Sequence, residues 1–563
     1  MNLNLRGTTA NSYDAIVVGS GITGGWAAKE LCENGLRVLM LERGKPLEHP
    51  NYPTATKDPW DFPHRGRLTP EDYQTKHIQA RHWSFRADNK HFYINDLDNP
   101  YEETRRFDWV RGDIVGGRSV LWSRQCLRFS DLDFEANARD GFGIDWPIRY
   151  KDIAPWYDYV ETFVGVSGQA EGLAHLPDGK FQPPMPMNCV EKMFKEKVEA
   201  SFPSRRVTMG RTANLTIPVK GRGICQYRNL CHRGCPYGAY FSTNAGTLPA
   251  AFATGKLTLQ TNALVNRVLY DEKTGRATGV EVVDTDTNQV TEYFAQIIFL
   301  NAATLATAFI LLNSTSSRFP NGLGNSSEQV GKNLMDHHKC MGLSADVEGF
   351  EDVYHSGRRP IGIQIPRFRN LERKEKDFLR GYNFQGEAAR GGWNRGLDVG
   401  FGEALKEEMS RPGGWHIGFT GFGESLPSED NQVTLNKSKT DKWGRPILQV
   451  DCKFGENEKA MQKDMAETIA EMMEVAGFKN IRVDARMSFP GNANHEMGTA
   501  RMGNNPKNSV LNSFNQMHDV PNVFITDGSF MTSGSSVNPS LTYMAMTARA
   551  CHYAVSQFRK RNL

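Results

Sequence analysis

Three glycines near the start of the chain have a spacing that suits the binding of a pyrophosphate. Gly19, Gly21 and Gly24 form GxGxxG directly after the apolar stretch YDAIVV and before the helical pattern WAAKELCENG. A second apolar stretch, RVLMLERG, carries Glu42 near its end, where a carboxylate accepts hydrogen bonds from ribose hydroxyls and repels a 2′-phosphate. The pattern predicts a βαβ dinucleotide-binding unit and disfavours NADP, but it leaves NAD and FAD open.

Three cysteines fall within the eleven residues CQYRNLCHRGC, at Cys225, Cys231 and Cys235. Three soft thiolates with glycine and proline nearby can surround one metal centre. Zinc needs a fourth ligand, and His232 would reach it only through an awkward turn because it directly follows Cys231. An iron–sulfur cluster with three cysteines fits the spacing better, and three reduced buried thiols are the alternative. The other cysteines are far apart and are expected to be buried thiols: Cys32, Cys126, Cys189, Cys340, Cys452 and Cys551.

One of the 14 histidines, His495, stands in the glycine-containing run Asn494-His495-Glu496-Met497-Gly498. Histidine suits the removal of a hydroxyl proton because its pKa lies near neutral pH. A single histidine near glycines is nevertheless more often a structural hydrogen-bonding residue, so the local sequence leaves both roles open. Glu496 could tune its neighbour, but adjacent side chains often point to different faces, and its role stays unassigned.

The charge and composition exclude several classes of protein. Lysine and arginine total 67 against 64 aspartate and glutamate, and neither sign forms a run, so no nucleic-acid partner is expected. The N-terminus lacks a charged segment followed by an apolar stretch, so no export signal is expected in this polypeptide. The most apolar later stretch, 297–313, is interrupted by Asn301 and threonines, and it predicts a strand running into a helix rather than a membrane span.

The length of 563 residues predicts two lobes, possibly interleaved along the chain. Residues 49–108 are rich in proline and aromatic side chains without a clear period, which predicts a long ordered excursion over another part of the fold. Residues 259–300 have the pattern of paired strands, and GWHIGFTGFG that of a further strand. A helix is expected from Glu458 to Ala476, with a methionine-rich face that fits a protein core better than a cofactor site.

Five further landmarks follow the glycine fingerprint in order: VGGRSVLW, ATGVEVVD, VGKNLMDHH, HEMGTARMG, and VFITDGS with SVNPSLTYMAMTARA. With them, the chain resembles the glucose-methanol-choline (GMC) oxidoreductase family over nearly its whole length. The resemblance implies an α/β fold, in which a Rossmann-like FAD-binding domain of the GMC type accompanies a discontinuous α+β substrate domain. It assigns segments 1–48, 106–135, 225–345 and 481–563 to the FAD-binding domain, 49–105 to a covering loop or lid, and 136–224 and 346–480 to the substrate-binding domain.

The same resemblance implies the roles of the site residues. His495 corresponds to the catalytic base of the family, and Asn538 would hold the substrate hydroxyl and stabilise negative charge on oxygen without acting as a base. His337 and His338 fall in a segment that the family places in the scaffold, so they are interpreted as structural. No histidine stands near Leu121, where some relatives bond the flavin covalently, and non-covalent FAD is expected. The residues expected to bind FAD are Gly19, Gly21, Ile22, Thr23, Gly24, Glu42, Arg43, Gly116, Gly117, Ser119, Val265, Asp527, Gly528, Asn538 and Pro539.

The cysteines narrow the resemblance to the bacterial FAD-dependent glucoside 3-dehydrogenases, in which such a trio holds a 3Fe–4S cluster that passes electrons to a cytochrome. The implied reaction is oxidation of a secondary hydroxyl of a sugar or glycoside, at C3, to a 3-keto sugar. The implied partners are a small signal-carrying subunit and a c-type cytochrome, with a periplasmic location through the export signal of that subunit, or a cytoplasmic one without it. Two alternatives remain: an oxidase that uses O2 on glycosides, and a non-catalytic FAD-binding or redox-sensing subunit.

Overall fold

The computed structural model describes residues 11–353, 357–392, 395–396 and 399–563. The strands are β1 (Ser12–Val18), β2 (Val38–Leu41), β3 (Glu102–Glu103), β4 (Thr208–Met209), β5 (Leu257–Gln260), β6 (Ala263–Asp271), β7 (Arg276–Asp284), β8 (Val290–Leu300), β9 (His338–Val347), β10 (Ile363–Ile365), β11 (Tyr382–Arg390), β12 (Trp415–Gly423), β13 (Gln432–Thr440), β14 (Pro446–Asp451), β15 (Lys479–Met487) and β16 (Val523–Ile525). The α-helices are α1 (Ile22–Glu33), α2 (Pro70–Thr75), α3 (Asp131–Phe134), α4 (Ala136–Asp140), α5 (Tyr150–Val164), α6 (Cys189–Ser201), α7 (Thr247–Ala253), α8 (Thr304–Asn313), α9 (Glu403–Ser410), α10 (Glu456–Val475) and α11 (Ser540–Arg559).

The first sheet has the strand order β5-β2-β1-β8-β7-β6, and β16 pairs with the end of β8. β1 pairs in parallel with β2, as the predicted βαβ unit requires, and also pairs in parallel with β8. Alternate residues of β1 belong to different hydrophobic clusters, Ile16 and Val18 to one and Ala15 and Val17 to the other. Since successive side chains of a strand point to opposite faces, the sheet is buried on both faces, which explains its continuous apolar sequence.

Two sequence expectations for the secondary structure of residues 259–313 are confirmed. The paired strands expected over 259–300 are β6, β7 and β8, which join the first sheet. The apolar stretch 297–313 is the end of β8 followed by α8, with Asn301 between them. Within the described ranges, none of the helices combines the length and apolarity that crossing a membrane requires.

The second sheet is antiparallel, with the order β15-β9-β12-β11-β10-β4. The expected strand GWHIGFTGFG is β12, and the expected helix is α10, which packs on this sheet. Met461, Met465, Ile469 and Met472 of α10 are fully buried in the same hydrophobic cluster as side chains of β9 and β12. The methionine-rich face is therefore core, as the sequence predicts.

Strand pairing links segments that the sequence assigns to different domains. The segment expected to end at residue 345 runs into β9, which continues to Val347 and pairs with β12 in the second sheet. β15 spans the expected boundary at residue 481 and pairs with β9. In a small third sheet, β3 of the expected lid pairs with β14. The division of the chain into domains remains a proposal, because the landmarks do not reveal which strands pair.

Candidate active site

A cavity of about 360 Å³ is lined by residues of both large sheets and of the expected lid. The cavity brings together widely separated residues that the sequence predicts to bind FAD or substrate: Gly19, Gly21, Ile22, Thr23, Glu42, Arg43, Gly117, Ser119, Val265, His495, Asp527, Gly528 and Asn538. Gly24, Gly116 and Pro539, which the structure also describes, are not among its lining residues. The cavity is therefore the candidate site for both a dinucleotide and a substrate.

The glycine turn, residues 19–24, connects β1 to α1 and leaves space on one side only. A Cβ atom on Gly19, whose φ is +93°, would lie 2.5 Å from the carbonyl oxygen of Asn301, and a Cβ on Gly24 would lie 1.9 Å from the carbonyl oxygen of Gly19. A Cβ on Gly21 would meet no atom within 4 Å. Because Gly21 also precedes the first turn of α1 without a side chain, the amides of that turn are available to phosphate oxygens.

Glu42 lies beyond the end of β2, with 5% of its surface exposed. Its carboxylate accepts hydrogen bonds from the backbone N–H of Ser20 (2.9 Å), the Ser20 hydroxyl (2.6 Å) and the N–H of Gly44 (2.7 Å). Burial raises the pKa of Glu42, and the bonds from Ser20 and Gly44 oppose that rise. Nearby in the lining, the buried Oδ1 of Asn301 has no partner among the described protein atoms, while its Nδ2 donates to Thr526. An unpaired buried acceptor at this place fits a dinucleotide ligand.

The catalytic candidates lie in a row of hydrogen-bonded side chains. His337 Nδ1 is 2.8 Å from His495 Nδ1, and His337 Nε2 is 2.8 Å from the carbonyl oxygen of Ser535. On its other side, His495 Nε2 is 3.2 Å from Asn538 Nδ2, and Asn538 Oδ1 accepts a hydrogen bond of 2.6 Å from Gln385 Nε2. These five residues, hereafter the histidine row, come from four separate segments of the chain.

The segment before β9 holds the loop that carries His495. The buried carboxylate of Asp336 accepts hydrogen bonds from the backbone N–H groups of Ala493 (3.1 Å) and His495 (3.0 Å). Lys339, near the start of β9, adds a further bond, in which its Nζ donates to the carbonyl oxygen of Asn492 at 2.9 Å. Because these bonds go to the backbone, they fix the position of the loop whatever side chains it carries.

Both histidines of the row are neutral at ordinary pH. Burial lowers the pKa of His495 well below its usual value, and His337, Lys339 and Arg118 lower it further. Burial lowers the pKa of His337 to about 4. Burial also lowers the pKa of Lys339, an effect that Asp336 opposes. A neutral imidazole can accept a proton, so His495 has the protonation state that a general base requires.

The expected lid contributes to the wall beside the histidine row. His82 Nε2 lies 3.0 Å from Nδ2 of Asn494, the residue that precedes His495 in the sequence. Trp83 lines the cavity although 66% of its surface is exposed, and Ser84 lines it as well. Glu496 and Arg118 also line the cavity and form a two-point ion pair, with Nη1 and Oε1 3.0 Å apart. The lid is thus joined by a hydrogen bond to the loop that carries the candidate base.

Sequence reasoning missed part of this arrangement. The resemblance implies a structural role for His337, yet its ring contacts the candidate base. The ring nitrogens of buried His338 have no hydrogen-bond partner among the described atoms. No sequence pattern indicates that Gln385 and Lys339 belong to the site, because no spacing relates them to residue 495 or 538. The MDHH run itself was the only sequence feature that could have pointed to His337.

The cysteine loop does not form a metal site in the described structure. Cys225, Cys231 and Cys235 are all described, and nowhere in the described ranges do three or more His, Cys, Asp or Glu side chains gather as metal ligands. Burial raises the pKa of the Cys225 thiol, and the other two thiols are near enough to raise it further. All three are partly exposed and none lines the cavity. Of the six cysteines expected to be buried, Cys189 is instead partly exposed.

A parallel β-α-β unit with a glycine turn, sharing a cavity with a buried neutral histidine, defines a dinucleotide-dependent enzyme with a candidate proton acceptor. The chain belongs to the GMC oxidoreductase family, whose N-terminal model matches residues 13–339 and whose C-terminal model matches residues 427–547. The family resemblance, the α/β fold class and the expectation of an oxidoreductase are thereby confirmed.

Proteins similar to this chain are named for different substrates. The chain is 29% identical to 2-methyl-1,2-propanediol dehydrogenase of Mycolicibacterium austroafricanum, over 98% of this chain and 96% of that protein. It is 27% identical to the fructose dehydrogenase large subunit of Gluconobacter japonicus, over 98% and 99%. A solved structure of formate oxidase from Aspergillus oryzae RIB40, described as a study of FAD modification, shares the fold with a TM-score of 0.62 at 15% identity, over 98% of this chain and 99% of that one.

Proposed function

We propose that this protein is an FAD-dependent dehydrogenase that oxidises a secondary hydroxyl of a sugar or glycoside, at C3, to a ketone. The observation that carries the proposal is the pair His495 and Asn538, with Nε2 and Nδ2 3.2 Å apart on the wall of a cavity that the glycine turn also lines. Membership of the GMC family and the alcohol-oxidising relatives support the reaction type. The similarity to a fructose dehydrogenase supports a sugar.

The glycine turn, Glu42 and the Asp527-Gly528 segment would hold the cofactor. The open space above Gly21, the acceptor groups of Glu42 and the unpaired Oδ1 of Asn301 fit the pyrophosphate and ribose of FAD. FAD, when bound, supplies the acceptor for the hydride that leaves the substrate carbon.

The chain's own residues handle the proton. His495 Nε2 takes the proton of the substrate hydroxyl, and the remaining pair of electrons on oxygen forms the C=O bond as the hydride leaves. Asn538 Nδ2 donates a hydrogen bond to the same oxygen and stabilises the negative charge that develops there. Burial keeps His495 neutral before the reaction, since it lowers the pKa of the ring.

The cavity wall next to the histidine row supports a polyhydroxylated substrate. Gln385, Asn494 and Ser84 line it with amide and hydroxyl groups that can bind several hydroxyls at once. Trp83 adds a flat apolar surface at the same wall, 66% exposed, against which the C–H face of a sugar ring can pack. A few polar groups combined with an aromatic surface are typical of small-molecule sites.

The same proposal includes an electron acceptor outside the chain, a c-type cytochrome, together with a small subunit whose export signal would carry the complex to the periplasm. A relative named as a large subunit supports an assembly of several chains. A 3Fe–4S cluster at Cys225, Cys231 and Cys235 remains a prediction from resemblance. The thiols as placed form no ligand set, so no step of the mechanism uses a cluster.

The test is anaerobic reduction of the bound flavin by a panel of sugars, glycosides and a simple diol. We expect a glycoside to reduce it with formation of a 3-keto product, and His495→Ala to slow this step by roughly 10²–10⁴-fold while FAD stays bound. Reduction at the normal rate in His495→Ala would refute the assignment of the base. Stoichiometric peroxide in air would instead indicate the oxidase, and a wild-type flavin that no substrate reduces would indicate the non-catalytic subunit.

A further inference from the structure

The carbonyl oxygen of Ser535, at one end of the histidine row, determines which ring nitrogens carry hydrogen. A carbonyl oxygen only accepts hydrogen bonds, so His337 Nε2, 2.8 Å from the oxygen of Ser535, must carry a hydrogen. In a neutral imidazole the other nitrogen then has the lone pair, and His337 is neutral because burial lowers its pKa to about 4. His337 Nδ1 is therefore an acceptor, and His495 Nδ1, 2.8 Å away, must be the donor.

The hydrogen bonds at the Gln385 end of the row lead independently to the same tautomer of His495. Asn383 Nδ2 donates to the carbonyl oxygen of Ser536, which turns Asn383 Oδ1 towards Gln385 Nε2 at 3.4 Å. Gln385 Nε2 also donates to Asn538 Oδ1 at 2.6 Å, so the Nδ2 of Asn538 faces His495 Nε2. An amide nitrogen donates, and this contact therefore also requires the lone pair of His495 to be on Nε2.

We propose that His337 is a positioning residue that fixes the tautomer of His495, with the hydrogen on Nδ1 and the lone pair on Nε2. The proposal rests on the proposed function, in which Nε2 takes the substrate proton. A free imidazole exchanges between two tautomers, and in the other one Nε2 carries the hydrogen and cannot accept. The neighbouring backbone carbonyls of Ser535 and Ser536 thus set the direction of the row from both ends.

The carbonyl that orients His337 is itself firmly held. Ser535 has a φ of +56°, a conformation that costs free energy for a residue with a side chain. Its hydroxyl donates to Asp133 Oδ1 at 2.6 Å and accepts from the N–H of Val537 at 3.3 Å. A strained residue with two side-chain hydrogen bonds fits a requirement for its carbonyl to point at His337.

The charged groups near the two rings do not supply the acceptor that His495 Nδ1 needs. Lys339 and Arg118 are cations whose charge disfavours protonation of His495. The carboxylate of Asp336 accepts hydrogen bonds from the backbone N–H groups of Ala493 and His495, and not from the imidazole ring of His495. Among the hydrogen bonds of the described residues, His337 Nδ1 is the partner of His495 Nδ1.

A pair of variants tests the proposal through the holoenzyme. Asparagine places its Oδ1 near the position of an imidazole Nδ1 and can accept, whereas leucine has similar bulk and no acceptor. We expect His337→Leu to slow flavin reduction at saturating substrate by roughly 10- to 100-fold, since proton transfer to a general base contributes at least that much. His337→Asn should keep the rate within about threefold of wild type, with FAD bound in both.

The tautomer can also be observed in the unaltered protein. In ¹⁵N spectra of histidine-labelled enzyme, with His495 assigned by loss of its signals in His495→Ala, we expect a protonated Nδ1 and an unprotonated Nε2. The opposite tautomer, a normal rate in His337→Leu, or equal losses in the leucine and asparagine variants would overturn the proposal. If His495→Ala itself reduced flavin normally, the proposed function would fail, whereas failure of the His337 results alone would leave it standing.

Discussion

The glycine turn and the histidine row line one cavity but are built in different ways. The turn is six consecutive residues, and its role depends on the three glycines among them, since Cβ atoms at Gly19 and Gly24 would collide with backbone. The row is made of four side chains and the carbonyl oxygen of Ser535, each joined to the next by one hydrogen bond, from segments as far apart as residues 337 and 538. Substitutions of the glycines should therefore affect cofactor binding, stability or both, whereas substitutions at His337 and Gln385 should affect the chemistry and leave FAD bound.

The largest effect is expected at Gly24. Alanine there would bring Cβ to 1.9 Å from the carbonyl oxygen of Gly19, which is backbone and cannot move aside cheaply. Gly24→Ala should lower the stability of the apoprotein by about 1–3 kcal/mol and abolish FAD binding. Thermal denaturation of the apoprotein and titration with FAD measure the two effects.

Gly21→Ala is the matched control, because its Cβ meets no protein atom within 4 Å. It should leave the melting temperature of the apoprotein unchanged and weaken FAD binding, since the added methyl group enters only the space reserved for the ligand. An equal loss of apoprotein stability in both variants would contradict this division between packing and ligand space.

The difference between a contiguous turn and a row assembled from distant segments explains which parts of the site the sequence can predict. GxGxxG, the strand before it and Glu42 are close in the chain, so local spacing was enough to predict the β-α-β unit. His495 and Asn538 were identified by resemblance, and their contact is consistent with it. No spacing reveals the roles of His337 and Gln385, because these roles arise only when the second sheet brings the residue before β9 and a residue of β11 beside the loop of residues 492–495.

An intermediate effect is expected at Gln385, at the other side of the row from His337. Gln385→Glu replaces the donor Nε2 by an acceptor, so Asn538 should rotate its amide and present Oδ1 to His495 Nε2. That arrangement favours the tautomer with hydrogen on Nε2, and flavin reduction should slow by roughly tenfold. Stopped-flow reduction at saturating substrate measures the rate.

Gln385→Met is the control, because it removes the hydrogen bond to Asn538 without favouring either orientation of the amide. It should slow reduction less than Gln385→Glu does. A glutamate variant as fast as the methionine variant would show that the orientation of Asn538 does not govern the reaction, although both variants should bind FAD normally because Gln385 lies in the row and not in the turn.

The smallest effect on chemistry is expected at Cys231, which belongs to neither region. The cysteine loop does not line the cavity. Its one turn of 3-10 helix, Cys231–Arg233, is joined instead to the expected lid through Asp88, which accepts hydrogen bonds from His232 (2.8 Å) and Arg233 (2.7 Å). Cys231→Ser should therefore leave the rate of flavin reduction by substrate within about twofold of wild type, since a single partly exposed thiol makes no contact with the reacting groups.

Iron analysis of anaerobically purified wild type tests the separate prediction of a cluster at the three cysteines. Iron that is present in wild type and lost in Cys231→Ser would establish the cluster, and iron-free wild type would contradict it. A large fall in flavin reduction would show that the loop does act on the cavity, and that the turn and the row are not its only working parts.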